Sequence, residues 1–289
     1  MEDVQGRRDS REIALDKVGV SGLRYPIVVL DRENQRQHTI ATLKMSVNLP
    51  HEFKGTHMSR FIEVLNEHRG EITMRTVPSI LRDLCTKLNA ESAHIHLVFP
   101  YFLERRAPVT GASALMDYEC SFDAAIHGRK DKFVFGVRVP VTSLCPCSKA
   151  ISEYGAHNQR GYITIDVQTV RDANNNYELI WFEELIAIAE QSASAPVYPL
   201  LKRADERHVT MQAFDNPVFV EDMVRNVALI LRNDSRVAWL RINALNQESI
   251  HNHSAFASVE WDRTEVSDGK GMAFAENACA WENVIGSVF

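Results

Sequence analysis

Apolar and polar positions alternate along LRYPIVVL (23–30) and QHTIATLKMSVNL (37–49), the period-two pattern of half-buried strands, with the polar turn Asp31–Gln35 between them. The period then changes. Ser59 heads a stretch striped by Phe61, Ile62 and Leu65. Thr76 heads another, with Pro78 in its first turn and Ile80, Leu81, Leu84 and Leu88 on one face. Both predict capped amphipathic helices. Cys85 borders the second stripe, the place of a buried structural thiol. SAHIHLVFPYFLERRA (92–107) returns to strand alternation, with His94 and His96 on its outer face. Residues 1–20 are charged and aperiodic and predict a flexible lead-in.

The order strand, strand, helix, helix, strand then recurs. Strand patterns at 114–128, 132–141 and 161–170 precede a helix from Trp181 to Ser192, striped by Phe182, Leu185, Ile186 and Ala189. A second helix is expected from Phe219 to Arg232, with Asn216 as its cap and Pro217 at its first position. Strands resume at 236–245 and 254–263. The pattern predicts an α+β chain of two similar units, 21–109 and 110–263, divided near Ala107–Ala112 and followed by a weakly structured tail, 264–289.

Composition narrows the class. With 45% hydrophobic and 24% charged residues in 289, the chain can bury a large core, which excludes disorder as its main state. A net charge of −6 excludes a global field for nucleic acid or an anionic membrane, so a phosphate-bearing partner needs a local basic cluster. No apolar run approaches the ~18 residues of a transmembrane helix, and the polar N-terminus does not read as a signal peptide. A cytoplasmic protein is expected. Of the five cysteines, only Cys145 and Cys147 are close in sequence. In a reducing compartment such a pair reads as metal-binding or catalytic.

Cys145-Pro146-Cys147 is expected to be extended, since proline disfavours helix, so that both thiols face one cleft. His157 follows in a Gly-Ala-His-Asn-Gln-Arg loop. A thiolate and an imidazole from one loop suit zinc or another divalent metal, or a nucleophilic Cys with a His base; two loop thiols and a surface His with no joint role is the bland alternative. A second segment, Asn246 to His253, offers Glu248 and His251 on one face of a helical turn, or His251 and His253 on one face of a strand. It is otherwise a polar connector. Lys202, Arg203 and Arg207, with Lys149 and Arg160 from the Cys loop, could neutralise phosphates; such runs are more often solvated surface. Glu221, beside the stripe Val220, Met223, Val224 and Val227, could accept two parallel hydrogen bonds from a guanine edge.

SLCPCSKAISEYGAHNQRG (143–161), EQSASAPVYPLLKRADE (190–206), DNPVFVED (215–222) and ESIHNHSAFA (248–257) together resemble the prokaryotic type IB GTP cyclohydrolases. The resemblance implies a tandem tunnelling fold (T-fold): two units of antiparallel sheet with two helices on one face, joined across subunits into barrels. It also implies a homotetramer with active sites at subunit interfaces. The implied reaction takes GTP and water to 7,8-dihydroneopterin triphosphate and formate, the entry to tetrahydrofolate and sometimes to deazapurines. Carried over by motif, Cys145, His157, Glu206, Glu248 and His251 form the metal environment, for zinc, manganese or ferrous iron. Cys147 lies near the reacting carbon, His253 is the spare imidazole for proton transfer, and Glu221 anchors guanine. Ala204 departs from the pattern, which has proline there. Two other readings are a deazaguanine nitrile reductase of the same fold, using a Cys nucleophile and a nicotinamide cofactor, and a non-catalytic metal or purine-nucleotide binder. The His-rich segment argues against the first, since covalent thioimide chemistry needs no metal cage. The joint presence of a substrate anchor and hydrolytic groups argues against the second.

Overall fold

Two long alternating strands, β1 (Leu15–Asp31) and β2 (Gln35–Leu49), form an antiparallel hairpin. Asp31 ties its turn, accepting from the backbone N–H groups of Glu33 and Asn34 and from Gln37 Nε2. The computed structural model describes residue 5, residues 7–68 and residues 71–263; the expected tail 264–289 lies outside the described residues. Strand β1 starts inside the stretch expected to be a lead-in. Val18 and Val20 continue its alternation and pair with Val47 and Met45 of β2, which is what orders it.

Helices α1 (Met58–His68) and α2 (Val77–Leu88) follow, then strands β3 (Ser92–Arg106), β4 (Ser113–His127) and β5 (Lys130–Leu144). Beyond them come α3 (Pro146–Ile151), β6 (Asn158–Thr169), α4 (Phe182–Gln191), the two-residue β7 (Ala195–Pro196), α5 (Arg203–Asp215), α6 (Val220–Asn233), β8 (Val237–Gln247) and β9 (Ser254–Asp262). The strands form one antiparallel sheet in the order β1-β2-β3-β4-β5-β6-β8-β9, with β7 paired to β5. Two strands, helices and two strands thus occur twice, once as β1 to β4 around α1 and α2, and again as β5, β6, β8 and β9 around the later helices. Ala107–Ala112 connects β3 to β4, which pair along their whole length, so the sheet passes this point unbroken. Among the described residues no helix is long and apolar enough to cross a membrane.

One sheet face and the helices share a single core, in which Phe61 and Ile80 from the first helix pair and Leu185 and Met223 from the later helices meet strand residues such as Leu97 and Ile163. The other sheet face is polar. There His94 and His96, on the outer face as expected, both bond to the Asp123 carboxylate at 3.2 Å. Helix α4 joins the two halves of the sheet. Glu183 in its first turn accepts from Tyr101 Oη of β3 at 2.8 Å, and Glu190 in its last turn pairs with Arg105 of β3 and accepts from Tyr118 Oη of β4.

Three local expectations are corrected. Pro146 opens a helix: it sits at the first helical position, where its missing N–H costs nothing, and Cys145 is the extended cap residue. Helix α5 lies in what reads as a charged surface run; it buries only Asp205 and Ala213, too little apolar surface to leave a stripe. Helix α6 is capped at Phe219, because Asn216 closes α5 and spends its Nδ2 on the Ala193 and Ser194 carbonyls.

Candidate functional site

Three of the segments that carry the resemblance meet at the end of β5, and the fourth starts two residues after Asn246, whose side chain reaches it. Ser194 Oγ accepts from Leu144 N at 3.0 Å, and Ser194 N donates to the Thr142 carbonyl at 3.1 Å. Val218 N donates to the Leu144 carbonyl at 3.2 Å, while Ser143 Oγ donates to the Val218 carbonyl at 3.3 Å. Asn246 Nδ2 reaches Ser143 Oγ at 3.0 Å, so β8 delivers Glu248 to the same place. Cys145 N donates to the His157 carbonyl at 3.2 Å and closes the loop between β5 and β6.

Within that loop the two thiols part company. Cys145 is half-buried and its Sγ accepts from Ser148 N at 3.4 Å, capping α3. Cys147 lies one residue into the helix and is exposed. The extended Cys-Pro-Cys expected from the sequence is therefore replaced by an extended Cys145 followed by helical Pro146 and Cys147, with one thiol half-buried and the other exposed. The His157 ring is held from behind: its Nδ1 lies 2.9 Å from Gln159 Oε1, and Gln159 Nε2 reaches Ser143 Oγ at 3.3 Å. With Nδ1–H donated to the amide oxygen, Nε2 keeps a lone pair for a metal ion or a proton. Glu248 Oε2 stands 3.9 Å from His157 Nδ1, the nitrogen already turned to Gln159, and both side chains are little exposed (12% and 13%).

The remaining candidates are spread around this centre. His251 and His253 stack with centroids 5.0 Å apart, both exposed, in the bend between β8 and β9 rather than on a helical turn or strand. Glu206 is exposed in the first turn of α5, and Glu221 in the first turn of α6, a favourable place for an acid at a helix N-terminus. Lys149 is occupied: its ammonium donates to the Phe214 carbonyl and lies 4.3 Å from that ring's centre. Arg160, Lys202 and Arg203 are exposed. Among the described residues no three of His, Cys, Asp and Glu stand close enough together to hold an ion. The donor chemistry does fit one: a half-buried thiol and an imidazole with one nitrogen free, on a shared loop, beside a carboxylate.

Three supports are not singled out by the sequence pattern. Gln159 and Asn246 are buried polar residues in the apolar phase of their strands, continuing Ile163–Gly161 and Ile242–Ala244. That phase is the signal that finds them. Gly161 is required opposite Asn246, since a Cβ there would meet Asn246 Oδ1 at 2.6 Å. The third, Asp205, is fully buried and accepts from Val109 N, Thr110 N, Thr110 Oγ1 and Lys202 N at 2.7–2.9 Å, fixing the start of α5. Burial alone would raise its pKa, but these hydrogen bonds outweigh it and hold the carboxyl well below the usual range. Ala204, where the resemblance leads one to expect proline, is the second residue of α5, an early helix position that suits either.

This doubled sheet-and-helix arrangement is the tunnelling fold. It is shared, at 8% identity, with the uricases of Bacillus fastidious (TM-score 0.53, covering 90% of this chain and 97% of that one) and Arthrobacter globiformis (TM-score 0.50, 90% and 96%). The chain belongs to the type I GTP cyclohydrolase FolE2 family, whose model matches residues 1–257. It is 53% identical over 269 residues to a GTP cyclohydrolase FolE2 of Syntrophotalea carbinolica (93% of this chain, 98% of that protein). It is also 54% identical over 260 residues to that of Syntrophus aciditrophicus (90% and 99%).

Proposed function

We propose that this protein is a metal-dependent GTP cyclohydrolase, converting GTP and water to 7,8-dihydroneopterin triphosphate and formate at the head of folate synthesis. Family membership supports the reaction. The observation that carries the site is the convergence of Ser194, Val218 and Asn246, from three distant stretches of the chain, on Ser143 and Leu144. Cys145 and His157 would hold a divalent ion (zinc, manganese or ferrous iron), with Glu206, Glu248 and His251 as further ligands. Bound there, the ion supplies Lewis acidity for hydrolysis at neutral pH. Gln159 keeps the His157 ring in one tautomer. Cys147, exposed beside the loop, and His253, stacked on His251, would exchange protons with substrate during ring opening and closure. Glu206, Glu221, His251 and His253 lie exposed on this chain, which fits a homotetramer whose sites are closed by a second copy.

Metal-stripped protein is expected to release no formate from GTP, and restoring zinc, manganese or ferrous iron separately should return it along with a fluorescent pterin after oxidation. Undiminished turnover after stripping, with metal content verified, would remove the metal from the mechanism. Glu221→Gln is expected to raise the KM for GTP by roughly 10²-fold, because one acceptor becomes a donor facing guanine N–H groups. An unchanged KM would take Glu221 out of the substrate site.

A further inference from the structure

A cleft of about 300 Å³ opens at the far end of the sheet from Cys145, where β1 and β3 begin, β2 and β4 end, and β5 starts. Its walls include Lys17, Ser46, His94, His127, Lys130 and Lys132. Two of these residues hold buried polar atoms that nothing satisfies. Ser46 is 4% exposed, and its Oγ has no hydrogen-bond partner. His94 gives Nε2 to the Asp123 carboxylate, while its Nδ1 is buried and unpartnered. Buried polar atoms in folded proteins nearly always have partners, so two orphans lining one cleft point to a ligand that supplies them.

The charges identify its chemistry. Among the described residues Lys17 and Lys130 are exposed and make no ion pair, and Lys132 lies over the Trp239 ring at 5.0 Å. Of the two acids in the wall, Asp131 is already held by Arg171 at 2.7 Å, leaving Asp16 as the one uncompensated carboxylate. The Ser46 hydroxyl and the exposed ammonium groups of Lys17 and Lys130 around a small space suit an acceptor with several oxygens in different directions. A planar carboxylate uses fewer of them.

We propose that this cleft binds a phosphoryl group. From Lys130 to Leu144 the strand β5 spans about 45 Å at ~3.3 Å per residue, so GTP seated at Cys145 of the same chain does not reach it. The group belongs either to a separate phosphorylated molecule or to a nucleotide seated on a second copy of this chain.

The test is calorimetric titration of the full-length assembled protein with inorganic phosphate at constant ionic strength. Wild type is expected to bind saturably. Ser46→Ala and the double variant Lys17→Ala/Lys130→Ala should each weaken binding about tenfold or more, with unliganded Tm unchanged. No saturable binding by wild type, or equal affinity in wild type and both variants, overturns the proposal. The KM for GTP of the double variant then separates the sources. A KM that rises as phosphate binding falls assigns the group to a nucleotide on a second copy, and an unchanged KM assigns it to a separate ligand. Phosphate binding is read without turnover, so failure of the cleft and failure of the proposed reaction are distinguishable.

Discussion

Cys145→Ser is expected to lower formate release from GTP on the order of 10³-fold or more while leaving the fold intact. Serine is the informative replacement because Cys145 has two separable jobs. Its Sγ caps α3 through Ser148 N, and its backbone is tied to His157 and Lys149. Serine is among the best N-cap residues, so it should serve the first job at least as well as sulfur does. What it cannot supply is a thiolate, the soft donor that a zinc or ferrous centre draws on. Cys145→Ala removes both and should be equally inactive, with a Tm lower by the loss of a cap worth about 1 kcal/mol. Metal content per subunit, measured on the same samples, should fall in both. Near-wild-type turnover in the serine variant would make Cys145 a capping residue and nothing more.

The distinction between cap and ligand was out of reach of the chain's pattern, although most of the sheet was legible in it. Strand alternation in 37–49, 92–107 and 161–170 gave the right elements because each strand has one face in the core and one in water. The helix at Pro146 was hidden because the rule that proline disfavours helix inverts at the first helical turn. Helix α5 was hidden for a different reason. It is held by a single buried acid, Asp205, bonded to Val109 and Thr110 some 95 residues earlier, and no local window contains that tie. The motif residues themselves were visible, but not their division of labour. The thiol of Cys145 turns inward while that of Cys147 stays exposed, and Lys149 is committed to Phe214 rather than free for phosphate. Gln159 and Asn246 could have been read from polar residues falling in an apolar phase.

Arg105→Ala is expected to cost on the order of 3 kcal/mol of stability, through the carboxylate it leaves behind. Glu190 is 7% exposed in the last turn of α4, and its two partners are Arg105 of β3 and Tyr118 Oη of β4. Burial pushes the Glu190 pKa up further than Arg105 and Tyr118 pull it down. Without the guanidinium it should rise again. A carboxyl whose folded-state pKa lies above its unfolded value binds protons more readily when folded, so stability falls as pH rises through that interval. The deficit of the variant should therefore be larger at about pH 8 than at about pH 5, read as the difference in urea midpoints from wild type. Equal deficits at the two pH values would mean that lost packing of the arginine stem, rather than the stranded charge, sets the cost. Arg105→Met/Glu190→Gln, which removes both charges and keeps an acceptor for Tyr118, should recover most of the loss. The effect should also reach the chemistry. Glu190 precedes by four residues Ser194, whose Oγ holds Leu144 N at the end of β5. Loosening the last turn of α4 frees that tether, and with it the strand end from which Cys145 is presented. Turnover of Arg105→Ala should thus decline with temperature several degrees below its global unfolding, whereas in wild type the two should coincide.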